Sequence, residues 1–313
     1  VSGLPAALTG ITSGSKITKP SSEPTLTGCT FGGWYKEADC TTPWVFETDT
    51  VTADAALYAN WTQLITESMV SLTPESQIYS GDEKKPTITV KDGEKTLVEN
   101  TDYTATYSDN INAGTAKVTV TGKGTYGGTV EKTFTITPRS LSSDGTTNIK
   151  LIAESLIYTT YELTVEIDKV EHTIAGTSAT LTLSPTDYSI TSGDKGTEPG
   201  DYTLTITGTG NYKDTATATW KIVTIVTKIT LDPQGGSGGT EYVEATYGQP
   251  IPPSITPPIK TGYSFEGYFD AETDGNKYYN TNGTSAKNWD KTGDTTLYAH
   301  WSNIPVYKIT YKA

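Results

Sequence analysis

The chain has 313 residues and a formal net charge of −13, with 23 Lys and Arg against 36 Asp and Glu. The acidic balance is spread along the whole length and no basic patch exists, which makes nucleic acid and anionic membrane surfaces poor partners on electrostatic grounds. No apolar run approaches the length of a membrane helix, and two cysteines without a Cys/His cluster argue against a zinc site.

Threonine, with 61 residues, is nearly a fifth of the chain. It is β-branched, so it suits strands, and its hydroxyl tolerates water on a solvent face. With 20 Tyr, 30 Gly and one Met, this is the composition of small all-β domains with wet outer faces. Two stretches of one frame bracket the chain. Gly28-Cys29-Thr30-Phe31-Gly32-Gly33-Trp34-Tyr35 leads through a polar middle to Leu57-Tyr58-Ala59-Asn60-Trp61. Gly262-Tyr263-Ser264-Phe265-Glu266-Gly267-Tyr268-Phe269 leads likewise to Leu297-Tyr298-Ala299-His300-Trp301.

Residues 1–62 are the first unit. Setting Cys29 on Tyr263 also sets Gly14 on Gly248, Ile17 on Ile251 and Pro24 on Pro258 without a gap. Val1 then falls opposite Gly235, so this unit has no counterpart of the strand predicted at Lys228–Leu231. A small core short of one strand is expected to be the less stable twin. Cys29 and Cys40 could close a small loop, but whether their Cβ atoms meet is left open by spacing alone.

Residues 63–138 read as strands. Asp92-Gly93 is a hairpin-turn signal. Ala116, Val118 and Val120 alternate with Lys117, Thr119 and Thr121, and Val130, Phe134 and Ile136 share a face with period two, as expected for one face in a core and one in water. Residues 139–223 repeat the unit: Asp187-Tyr188 matches Asp102-Tyr103, Gly208–Tyr212 matches Gly122–Tyr126, and Trp220 takes the place of Phe134. Short strands at regular intervals with Gly and Asn turns predict β-sandwiches.

Residues 224–303 return to the first frame with its leading strand, a glycine-rich turn after Asp232 and a Pro-rich connection at 250–258 that cannot be a central strand. Residues 304–313 read as the start of a further repeat or a tail, because Val306-Tyr307-Lys308-Ile309-Thr310-Tyr311 repeats the pattern of Val226-Thr227-Lys228-Ile229-Thr230-Leu231. The chain thus reads as a mature form or a segment of something longer. The same strand, from a neighbouring molecule, is a candidate filler for the first unit's missing one. Units of this size have radii of gyration near ~11 Å, and four in line predict an elongated rod of roughly 120 Å.

The bracketing units resemble the Listeria–Bacteroides repeat, the internalin B-repeat. The frame is an Ile-Thr strand, a Gly-rich turn, a Pro-rich stretch, Gly-Tyr-x-Phe-x-Gly-Trp-Tyr and Thr-Leu-Tyr-Ala-x-Trp; Cys29 and Tyr268-Phe269 are the departures from it. The resemblance implies a β-grasp-like fold in tandem in bacterial surface proteins. The middle pair is similar to bacterial immunoglobulin-like repeats, through Thr101–Tyr103, Ala113–Thr115, Gly122–Tyr126 and Phe134–Ile136; the second copy keeps only Thr186–Tyr188 and Gly208–Tyr212. The expected fold class is therefore mainly β: two β-grasp-like repeats flanking two immunoglobulin-like sandwiches. The implied setting is extracellular, on a bacterial cell surface, in adhesion or as a stalk.

Catalysis finds no support in the residues. His172 follows Glu171 in a polar stretch, and His300 stands where the twin has Asn60 and so reads as outward-facing. Neither has a nucleophile at a recognisable elbow. Asp270–Asn276 carries oxygens at alternate positions but lacks the distal Glu of a calcium loop, so no metal or cofactor is expected. Trp44, Tyr278, Tyr279 and Trp289 lie in the polar middles outside the repeating frame. Exposed, they would form a platform for stacking sugars; buried, Trp44 and Trp289 would plug equivalent core positions. The expected role is non-enzymatic, as an adhesin or its stalk, with a host or bacterial surface protein or a glycan as partner. A carbohydrate-binding module and spacer domains of a larger secreted enzyme are the alternatives.

Overall fold

A computed structural model describes residues 1–312. The chain divides into two compact units, one of residues 1–139 with 210–213, the other of 140–209 with 214–313. Both are built of strands, with no α-helix among the described residues and one 3-10 turn at Glu67–Met69.

In the first unit, Cys29–Tyr35 pairs antiparallel with Tyr58–Leu64, Phe31 opposite Trp61. The register slips between Phe31 and Trp34, where Gly33 has φ +110°. The remaining edge of Tyr58–Leu64 meets only Tyr126–Gly127, through Gln63 and Leu64. Residues 65–139 form two sheets. One orders Ser76–Ile78, Thr129–Thr137, Gly114–Gly122 and Tyr103–Ser108; the other orders Val70–Thr73, Thr87–Asp92 and Lys95–Thr96. Ala116, Val118 and Val120 are completely buried and join Val70, Leu72, Val90, Phe134 and Ile136 in one core. The period-two reading of this stretch is thus realised as two faces. The hairpin turn falls one residue later than Asp-Gly, on Gly93-Glu94, since Asp92 still pairs with Lys95.

In the second unit, residues 140–223 repeat the arrangement. Ser155–Ile157, Thr215–Val223, Gly200–Gly208 and Tyr188–Ser192 form one sheet; Gly145–Leu151, Ile167–Ile174 and Thr180–Leu183 form another. Trp220 is buried, stacks on Tyr202 at 4.6 Å, and donates its indole N–H to the Gly193 carbonyl at 2.7 Å. His172, expected in a polar stretch, is fully buried instead, its Nδ1 2.8 Å from the Thr147 hydroxyl. The reason is strand alternation: Glu171 and His172 face opposite ways, and His172 lies on the side of Val170.

Residues 224–303 form a five-stranded sheet ordered Tyr242–Thr246, Val226–Asp232, Thr295–Asn303, Tyr263–Phe269 and Lys277–Tyr279. Its first and last strands pair in parallel at the centre, Leu231 opposite Leu297. The Pro-rich connection contributes buried Ile251 and Ile255. Phe265 lies edge-on to Tyr268 at 5.3 Å and to Trp301 at 5.6 Å. Phe31, Trp34 and Trp61 repeat this trio at 5.4 and 5.5 Å. The recurring aromatics are therefore the packing unit of the repeat.

Candidate binding groove

The four aromatics singled out in the polar middles do not make a platform. Tyr278, Tyr279 and Trp289 are completely buried in the last repeat, with Tyr278 edge-on to Trp289 at 5.3 Å, so they offer no ring face to a sugar. The Tyr278 hydroxyl donates to Asp290, and that of Tyr279 to the Pro252 carbonyl at 3.2 Å. Burial pushes the Tyr279 phenol up to about 12; burial and then the Asp290 hydrogen bond push Tyr278 up as well. The middle looks polar in sequence because its turns are polar, while the rings between them fold back under the sheet. Trp44 belongs to the first repeat and is half-buried.

Nor do Trp44 and Trp289 occupy equivalent positions. The Gly14 N–H donates to the Val51 carbonyl at 2.8 Å, as that of Gly248 does to Trp289 at 2.8 Å. Tyr35 bridges Pro43 as Phe269 pairs with Lys277, which puts Trp44 on Tyr278. The counterpart of Trp289 is Val51. The stretch from Tyr35 to Leu57 is six residues shorter than that from Phe269 to Leu297, and the large ring is lost with it.

His300, expected to face outward, stacks on Phe269 at 4.0 Å with its Nε2 2.9 Å from the Ala271 carbonyl oxygen. Asp270, the first oxygen of the calcium-like loop, is taken by the Asn276 backbone N–H at 2.6 Å, the Asn276 side chain at 3.1 Å and Lys291 at 3.1 Å. Burial alone would raise its carboxyl, but these donors hold it below the ordinary carboxylate range. Among the described residues no group of three or more His, Cys, Asp or Glu is placed to hold a metal. Cys29 and Cys40 are free, the Cys29 thiol donating to Gln63 Oε1 at 3.3 Å.

The largest concavity lies in the first repeat, a groove of about 690 Å³. Pro5–Ile11 form one wall and Ala53–Leu57 the other; Ile17, Trp34, Trp44, Phe46 and Val51 form the floor. Two differences from the last repeat open it. Val51 stands where Trp289 fills the core, and no strand lies where Val226–Asp232 places Ile229 and Leu231. Consequently Pro24 is the one fully buried residue in 1–64, whereas the last repeat buries twelve hydrophobic residues in one cluster. The repeat frame was legible in sequence but the groove was not. The signal that could have found it was Val51, visible only after the six-residue deletion is placed.

A model of the Listeria-Bacteroides repeat domain matches residues 3–60 and 228–300. The chain carries two Listeria–Bacteroides repeat domains. Such repeats are found in bacterial surface proteins. A stretch of 48 residues is also 48% identical to a protein provisionally named Gly-rich membrane protein from Evansella cellulosilytica; the match covers 15% of this chain and 5% of that protein. Among the described residues no helix is long and apolar enough to cross a membrane.

Proposed function

We propose that this chain is a non-catalytic part of a bacterial cell-surface protein, acting as an adhesin or as the stalk that displays one. The observation that carries this reading is the pair of Listeria–Bacteroides repeats, one at either end of the described chain. Supporting it, the aromatic and ionisable side chains that could have formed a reactive centre are spent on packing and turns: His172 in a core, His300 on Phe269, Asp270 on Asn276 and Lys291.

At the level of domains, the last repeat reads as β-grasp-like. Its first and last strands are the parallel central pair of a mixed sheet, and a Pro-rich segment covers the core where a helix would otherwise lie. Residues 63–138 and 139–223 read as immunoglobulin-like sandwiches, each a four-stranded sheet over a three-stranded one. Their outer positions are largely Thr and Lys, which suits water rather than a partner's core.

Two measurements test the reading. Protease shaving of intact producing cells should release peptides of this chain; their recovery only from lysed cells would sink the surface placement. Beads coated with the chain should be retained on host or bacterial cells. Retention that survives removal of surface glycans indicates a protein partner, and absence of retention on every surface restricts the chain to the stalk role.

A further inference from the structure

In the last repeat the strand Val226–Asp232 lies between two flanks. It runs antiparallel to Tyr242–Thr246, with Ile229 opposite Val243, and parallel to the start of Thr295–Asn303, with Leu231 opposite Leu297. Ile229 is 0% and Leu231 3% exposed. The Lys228 N–H donates to Asp294 Oδ1 at 2.8 Å.

Both flanks are present in the first repeat. Residues 8–12 fall on 242–246, and Asp54 to Leu57 on Asp294 to Leu297. Neither is a strand there, because a flank without its partner has no ladder to join. The groove of about 690 Å³ opens between them. It is a slot bounded by two unpaired backbones, with an apolar floor and one carboxylate, Asp54, at the position that receives a backbone N–H in the twin.

We propose that this groove accepts the segment Val306–Tyr311 of a second copy of the chain as an added strand. Val-Tyr-Lys-Ile-Thr-Tyr shares Val, Lys, Ile and Thr, in register, with Val-Thr-Lys-Ile-Thr-Leu at 226–231. Its apolar side chains are unpacked, with Val306 93%, Ile309 76% and Tyr311 92% exposed. In the twin's register Ile309 and Tyr311 enter the slot where Ile229 and Leu231 sit, and the Lys308 N–H reaches Asp54. Charge is complementary: the donor carries Lys308 beside Lys312, and residues 1–62 hold three lysines against six carboxylates. Strand addition of this kind draws its affinity from main-chain hydrogen bonds and its selectivity from alternate side-chain pockets. Each copy has one groove and one donor, so association runs head to tail and builds rings or open chains.

Light scattering over a wide concentration range reads this directly. The mass should rise with concentration beyond the 33.5 kDa of one chain. Ile309→Lys, which spoils the donor, and Leu57→Lys, which spoils the groove, should each remain monomeric. Mixed, these two variants should give a heterodimer and nothing larger, since one contributes a sound groove and the other a sound donor. That result stands even if Leu57→Lys unfolds its own first repeat. A chain that is monomeric at every concentration overturns the proposal, as does association that survives both substitutions. A synthetic Pro305–Lys312 peptide that binds a chain which never associates also overturns it, and assigns the groove to a strand from another source.

Discussion

Gly267 carries a constraint that its one-letter place in Gly-x-x-x-x-Gly conceals. It has φ +130°, and a Cβ there would stand 2.4 Å from the Tyr279 carbonyl oxygen. Gly262 has φ +81° with open space around it. Gly267→Ala should therefore destabilise the last repeat by about 2–3 kcal/mol or more, and Gly262→Ala by only about 1 kcal/mol, read from Trp289 and Trp301 emission during denaturant unfolding. Tyrosine hydroxyls give a second contrast. Tyr268 is fully buried and its hydroxyl has no hydrogen-bond partner among the described residues, whereas Tyr279 donates to Pro252. Tyr268→Phe should stabilise the repeat or leave it unchanged, and Tyr279→Phe should cost about 1 kcal/mol. Both phenols are pushed up to about 12 by burial, against about 10 for an unfolded tyrosine. A raised folded-state value means that the neutral form is the one the fold favours. Its contribution is complete below pH ~10 and is lost as pH climbs toward ~12. Ultraviolet titration should show these tyrosines ionising late and together with loss of the repeat's structure; early, reversible ionisation in the folded state would contradict their burial.

Strands of the two Listeria–Bacteroides repeats share a pattern but not an environment. Leu297 is completely buried between Leu231 and the sheet, while its counterpart Leu57 is half-buried at the groove wall. Leu297→Ala should cost about 3–4 kcal/mol. Leu57→Ala should cost nearer ~1 kcal/mol, since little apolar area leaves water there in the folded state. Hydrogen exchange checks the same difference without mutation. Amides of 295–298, laddered to Val226–Asp232, should be protected, and those of 55–57 should exchange close to the rate of an open chain. Adding the Pro305–Lys312 peptide at saturation should slow exchange at 55–58 if the groove accepts a strand.

At the scale of the whole molecule, unfolding should not be a single transition. Residues 1–64 bury only Pro24 completely, whereas 65–139 and 224–303 each have a core cluster of a dozen or more residues. Separate cores unfold separately unless their interfaces are large. The first repeat should open at the lowest denaturant concentration, with a small slope because it exposes little new surface. Calorimetry and Trp34, Trp44 and Trp61 emission can follow it; a single sharp transition seen by all probes would contradict the uneven distribution of cores.

Composition and periodicity alone determined the all-β character, the fourfold division and the pairing of the outer units. Those properties follow from local rules: Thr-rich alternation, Gly turns and a recurring aromatic frame each act within a few residues. Tertiary structure decided what lies under the polar middles. Tyr278, Tyr279 and Trp289 sit between turn residues that make their stretch look exposed, and only the folding back of that stretch shows them to be core. The same holds for His172, whose polar neighbours point the other way along its strand. The groove is the furthest from local information. It arises because the shorter middle of the first repeat replaces Trp289 with Val51, and because the strand that closes the core in the last repeat comes from residues distant in sequence. Burial is a property of which segments meet, and a sequence read in order does not contain that until the chain is closed on itself.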